Sequence, residues 1–228
     1  MNTIHRKFDE LLIEIYKTNF EKAELKLNKF KEDFLSIIES DIELTQRVNL
    51  LLIETYKSQN RLHSALELST TVLHQLSPSN HKYLVVSLII SELLISLNKI
   101  DELNDFIEKC LLKNNGLVVI DPISSIKILT LYKSSNNDFL IRFQDVINQI
   151  EQQLEISIDR SNVYQSLKDV NEKITKDGHK LTEILAVSGN STMIENVKAF
   201  ESFLKTNPIK TYQQEASNFL EFLHSGNY

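Results

Sequence analysis

YKSQNRLHSALE, residues 56–67, interrupts a leucine-rich run with polar residues at 57–61 and then resumes with Ala65 and Leu66. Upstream, Leu44, Val48, Leu51, Leu52 and Tyr56 recur at helical steps; downstream, Leu62, Ala65, Leu66, Leu68 and Val72 do the same. Such spacing places apolar side chains on one face of an α-helix. The break has no glycine or proline and is long enough only for a tight turn, so the stretch reads as the corner of a helical hairpin. Ala65, with a single methyl, lets the two helices approach closely.

The corner recurs. NFEKAE from position 19, NRLHSALE from 60 and NKIDELND from 98 each put a polar turn before an apolar residue, with a small or apolar residue three later. Phe20, Leu62 and Ile100 are therefore equivalent, at intervals of 42 and 38 residues, and Phe139 in NNDFLIRF is a weaker fourth. Periods of roughly 33 to 47 residues mark chains built from stacked helical hairpins. Apolar stripes support the flanking helices: Phe8, Leu11 and Ile15 in the first, Phe20, Ala23, Leu27 and Phe30 in the second. Ser40 with Glu43 reads as a capping box opening the next helix. Ser77-Pro78, Asp121-Pro122 and Asn207-Pro208 each read as a helix start, because proline fits the first helical position after a good cap. Only NNGLVVIDP, residues 114–122, reads as extended.

Composition agrees with a helical chain. Four glycines and three prolines in 228 residues leave little turn chemistry for many strands. The formal net charge of -6 argues against a nucleic-acid or anionic-membrane surface, and the single Cys110 rules out an intrachain disulfide. YLVVSLIISELLISL at 83–97 is too short and too interrupted by serine and Glu92 to span a bilayer. MNTIHRKFDELL lacks the apolar core of a secretory signal, so a cytoplasmic or nuclear location is expected.

Residues 46–78 resemble the tetratricopeptide repeat through Leu52, Tyr56 and Ala65, with Pro78 one position late; Asn49, Ile53 and Ser69 replace the Trp, Gly and Phe of that pattern. In the next unit Ile90 fits, Ser91 replaces Gly, and Leu94 and Leu103 replace Tyr and Ala. The first unit keeps Ala23 but has Glu14 at the Tyr position. The resemblance covers about residues 4–155, and the longer period implies longer helices. It implies that the first helix of each hairpin lines a concave face: Arg47, Leu50, Glu54 and Lys57 from one unit, Leu88, Glu92 and Ile95 from the next, with Val85 and Ile89 beside them. The carboxylate clamp of lysine, asparagine and arginine found in some family members is missing, since Leu50, Glu54, Val85 and Ile89 stand there. An apolar face of this kind suits an amphipathic helix or a neighbouring subunit.

The last third changes character. Val163, Leu167, Val170, Ile174, Leu181 and Ile184 form a heptad-like stripe with a break expected at Asp177-Gly178. VSGNS at 187–191 reads as a loop, Thr192 with Glu195 as a capping box, and two amphipathic helices follow, carrying Ile194, Val197, Phe200, Phe203 and Leu204, then Tyr212, Ala216, Phe219 and Leu220. These helices are expected to cap the stack or pack on it.

Catalytic chemistry is not evident. The glycines complete no phosphate-cradling loop, the histidines form no HExxH pair, and His63 and His74 lie too far apart on one helix to share a metal. Cys110, in FIEKCLL, falls on an apolar face, where a thiol is a small hydrophobe. Carboxylates in KFDELLIE and KIDELNDFIE have the spacing of solvated helix faces. The expected molecule is an all-α protein: a right-handed α-solenoid of three or four helical hairpins over residues 1–156, then C-terminal helices over 157–228. Its expected role is a non-catalytic protein–protein interaction module, a scaffold, adaptor or structural subunit of a larger complex, without metal, cofactor, nucleic acid or small-molecule substrate. A peptide-sensing regulator and an enzyme with a dispersed helical site are the alternatives.

Overall fold

The computed structural model describes residues 3–80, 82–112, 121–188, 192–207 and 209–225. Among them are twelve α-helices and a 3₁₀ turn, with no strand, as an all-α chain requires. Residues 114–120 of the run expected to be extended, Pro208, and residues 189–191 of the expected loop lie outside the described residues; Asp121 and Pro122 at the end of that run cap and open a helix instead, and Val187 and Ser188 of the loop still belong to one. The chain divides into two compact units, Met1–Leu103 and Asn104–Tyr228.

The first unit contains α1 (Thr3–Lys17), α2 (Ala23–Asp33), a short α3 (Leu35–Ser40), α4 (Ile42–Ser58), α5 (Leu62–Gln75), α6 (Lys82–Ser96) and the start of α7 (Ile100–Leu112). Its three polar corners share one construction. Asn19, Asn60 and Asn98 all have positive φ, at 47°, 57° and 57°. At each, the asparagine N–H donates to the carbonyl three residues back and the next N–H to the carbonyl five residues before it. The pairs are Asn19 to Tyr16 and Phe20 to Ile15, Asn60 to Lys57 and Arg61 to Tyr56, and Asn98 to Ile95 and Lys99 to Leu94. This is the Schellman end of a helix, which needs a left-handed residue after the last turn; asparagine tolerates that conformation better than any side chain except the bare hydrogen of glycine. The first corner is longer. Phe20 and Lys22 also have positive φ, and α2 starts at Ala23 instead of Phe20.

Contacts between these helices keep a nearly constant offset. His5 of α1 meets Asp41, the cap of α4, at 2.8 Å, and Asp9 of α1 pairs with Arg47 of α4. Lys82 of α6 donates to Gln46 of α4 at 3.0 Å, and Lys57 of α4 reaches Glu92 of α6 at 3.6 Å. Early positions meet early ones and late meet late, so α1, α4 and α6 run parallel, 35 to 38 residues apart in sequence. Arg61, the residue before α5, donates to Glu24 of α2 at 2.5 Å with a separation of 37.

Helix α5 packs closely on both α4 and α6. Thr55, Ala65, Ser69, Ser87 and Ser91 are fully buried on these three helices, and small side chains permit that approach. The hydroxyls do not go unpaired: Thr55 donates to the Leu51 carbonyl, Ser69 to Ala65, Ser87 to Tyr83 and Ser91 to Ser87, at 2.7 to 2.9 Å. Phe8, Ile15, Leu27, Phe30, Leu44 and Val48 form the apolar core at the other end.

Two expected helix starts move. Asp41, not Ser40, caps α4, accepting from Leu44 N–H at 3.0 Å; the Ser40 hydroxyl turns back to the Ile37 carbonyl. Ser77-Pro78 opens a turn, and α6 begins four residues after the proline, where Asn80 accepts from Lys82 N–H.

The second unit continues α7 and adds α8 (Pro122–Leu129), α9 (Asn136–Leu154), a 3₁₀ turn (Arg160–Asn162), α10 (Val163–Ser188), α11 (Met193–Thr206) and α12 (Lys210–Ser225). Asp121 caps α8 with Pro122 in its first turn, and Thr192 with Glu195 forms a complete capping box on α11. Phe139 is buried in α9, but its corner differs from the other three: Ser135 caps the helix, with ordinary φ. Tyr132, Phe139, Phe143 and Tyr164 form an aromatic cluster with ring centroids 4.8 to 5.9 Å apart. The Tyr132 hydroxyl donates to Glu108, and its pKa is pushed up to about 12 by burial and by that carboxylate. The division expected at 156/157 falls inside this unit, in the segment between α9 and the 3₁₀ turn.

No break occurs at Asp177-Gly178: α10 runs through as one helix of 26 residues. Gly178 is there for packing. A Cβ at that position would lie 2.7 Å from the Tyr212 hydroxyl of α12, which donates to the Ile174 carbonyl. Leu181, Phe200, Phe203, Ala216 and Leu220 make the core shared by α10, α11 and α12.

Candidate functional site

Arg47, Leu50, Glu54 and Lys57 lie on α4, and Leu88, Glu92 and Ile95 on α6, so the parallel register of these helices sets the geometry of the face. Glu54, Lys57 and Glu92 come together. Lys57 Nζ is 3.1 Å from Glu54 and 3.6 Å from Glu92, joining the two helices. Arg47 turns away from them toward α1, pairing with Asp9 and stacking its guanidinium over the Phe8 ring at 4.9 Å. Leu50, Leu88 and Ile95 are half-buried, and Val85 is exposed beside them.

Three carboxylates, Asp9, Glu54 and Glu92, thus share two cations, Arg47 and Lys57. The face carries excess negative charge around an apolar strip. The Glu92 side chain keeps 49% of its surface and Glu54 37%, which leaves both carboxylates open to a further cation. Ion pairs this exposed contribute at most about 1 kcal/mol each, so they set helix register and partner preference more than stability.

His5–Asp41 and Gln46–Lys82 extend the same seam, and no local pattern of residues points to either pair. The cap signal at Asp41 is legible in hindsight, because an aspartate three residues before Leu44 accepts its N–H. That bond, and then the His5 ring, hold the Asp41 carboxyl below the usual aspartate range.

Among the described residues, no three histidine, cysteine, aspartate or glutamate side chains converge as a metal site would require. His63 and His74 are both exposed on α5, and Cys110 is buried in α7. No described helix is long and apolar enough to cross a membrane. Neither a protein-family profile, nor a curated protein, nor a solved structure matches this chain.

Proposed function

We propose that this chain is a non-catalytic protein–protein interaction module, a scaffold, adaptor or structural subunit, whose first unit is a short right-handed solenoid of tetratricopeptide-like hairpins. The observation that carries the reading is the parallel register of α1, α4 and α6, held by cross-helix pairs at nearly constant sequence offset. Like helices repeated at a fixed offset create an extended face, and such faces bind other chains.

The partner we infer is an amphipathic helix with a basic residue beside its apolar stripe. Leu50, Leu88 and Ile95 supply the apolar contact, and the Glu54–Lys57–Glu92 group, one cation between two carboxylates, receives the basic residue. A cytoplasmic assembly is the setting this role fits. The test is affinity purification from the source organism with the wild-type chain and with Glu54→Lys/Glu92→Lys. Charge reversal at partly exposed positions is expected to keep the melting temperature within a few degrees while removing the specific partners. Equal recovery by both chains places the interaction elsewhere.

A further inference from the structure

Three buried side-chain atoms lack a hydrogen-bond partner among the described residues: Asn171 Oδ1, Asp177 Oδ2 and Asn207 Nδ2. All three residues line one trough of about 990 Å³ along α10 and the end of α11. Native proteins rarely leave buried polar groups unpaired, and three at one cavity mark it as a place where water or a ligand completes the hydrogen bonding. Asn207 is only 4% exposed. Its Oδ1 accepts from Ile209 N–H at 2.8 Å, which fixes the orientation of the amide and leaves the NH₂ group as the unpaired end.

An apolar pocket of about 280 Å³ adjoins the trough, with Lys173 lining both. Leu154, Ile156, Val170, Ile174 and Ile209 make its apolar walls. Trough and pocket together match the chemistry of an extended peptide. The Asn207 NH₂ suits a backbone carbonyl, and the Asn171 and Asp177 oxygens suit backbone N–H groups. The rim does not select a strongly charged ligand, because Lys173, Lys176 and Lys180 are interleaved with Glu172, Asp177 and Glu183.

We propose that the trough and its apolar pocket form one binding site for an extended, largely uncharged peptide segment of a partner protein, anchored by a single large apolar side chain. The site lies on the second unit and does not depend on the helix-binding role of the first.

The test is selection of a random dodecapeptide phage library on the full chain, followed by calorimetry with the most enriched peptide. Enriched sequences are expected to share one large apolar residue among uncharged neighbours. Asn171→Leu, which removes an unpaired acceptor, is expected to weaken binding at least about tenfold while leaving the melting temperature unchanged or higher. Ile156→Glu, at a half-exposed position in the segment after α9, puts a carboxylate in the pocket wall and is expected to weaken binding similarly. It decides the matter if Asn171→Leu fails to fold. Glu54→Lys on the first unit leaves the affinity unchanged. Absence of enriched peptides, or wild-type affinity in either folded variant, overturns the proposal.

Discussion

Asn60 shows how much rests on single side chains. Its φ of 57° lies where an L-residue pays a steric penalty, and the two corner hydrogen bonds depend on that conformation. Asn60→Ala is expected to lower stability by about 1 kcal/mol, and Asn60→Gly to leave it unchanged or raise it by a few tenths. Denaturant unfolding checks both, and equal stability of the alanine and glycine variants rules out conformational strain as the reason for asparagine. The asparagines were visible in NFEKAE, NRLHSALE and NKIDELND as members of polar breaks. Their shared backbone conformation was not, because a one-letter pattern carries no dihedral angle. The cap of α4 was missed for a related reason: Ser40 with Glu43 fits the capping-box pattern, but Asp41 beside it also accepts from His5 and wins the position.

Between elements, sequence patterns lose their hold. The stripes on α4, α5 and α10 were legible because helical periodicity is local, and the Thr192–Glu195 box because it closes within one turn. Gly178 read as a break since glycine weakens a helix interior by about 1 kcal/mol relative to alanine. Its reason is Tyr212, 34 positions later and on another helix. Burial and then the neighbouring Asp177 raise the Tyr212 pKa, so its hydroxyl stays protonated as a donor. Gly178→Ala is expected to destabilise the wild-type chain despite its better helix propensity. In a Tyr212→Phe background, with the hydroxyl gone, the penalty should shrink by about 1 kcal/mol. A double-mutant cycle by thermal unfolding measures this coupling, and a value of zero excludes the contact.

The segment joining α9 to α10 is held by Glu151, which accepts from Ile158 N–H at 2.7 Å and pairs with Arg160 at 2.6 Å. Burial pushes its pKa up, but Arg160 and the Ile158 N–H outweigh that and lower it overall from 4.5. A carboxyl with a depressed pKa in the folded state stabilises above its unfolded pKa and loses that contribution as pH falls through the folded value. Stability is therefore expected to fall below pH 4.5 from this group, and Glu151→Gln to flatten that part of the pH profile. Denaturant midpoints measured across the acid range test it; an unchanged slope removes Glu151 from the account.

At the scale of the whole chain, two compact units carry separate cores, one around Phe8, Leu44 and Leu51 and the other around Leu181, Phe200 and Phe203. Leu51 is 3% exposed, so Leu51→Asp places a charge among packed helices and is expected to cost at least about 3 kcal/mol. Hydrogen exchange should then show protection lost from α1 to α5 and kept in α10 to α12. Loss throughout the chain means that the units unfold as one. The all-helical architecture was predictable from composition and periodicity. The extent of each unit was not, since the change falls within α7, where no proline, glycine or charge run marks it.

The run of short side chains through α4, α5 and α6 has an evolutionary consequence. Where Ala65, Ser69, Ser87 and Ser91 bring backbones together, bulk is what selection must exclude, and a hydroxyl is admitted because it bonds back to its own helix. Their apolar neighbours, such as Leu51, Val72 and Ile90, are free only to exchange for other apolar residues of similar volume. Descendants of this chain can change many letters and still hold the same backbone, provided those few positions stay small and the core stays apolar.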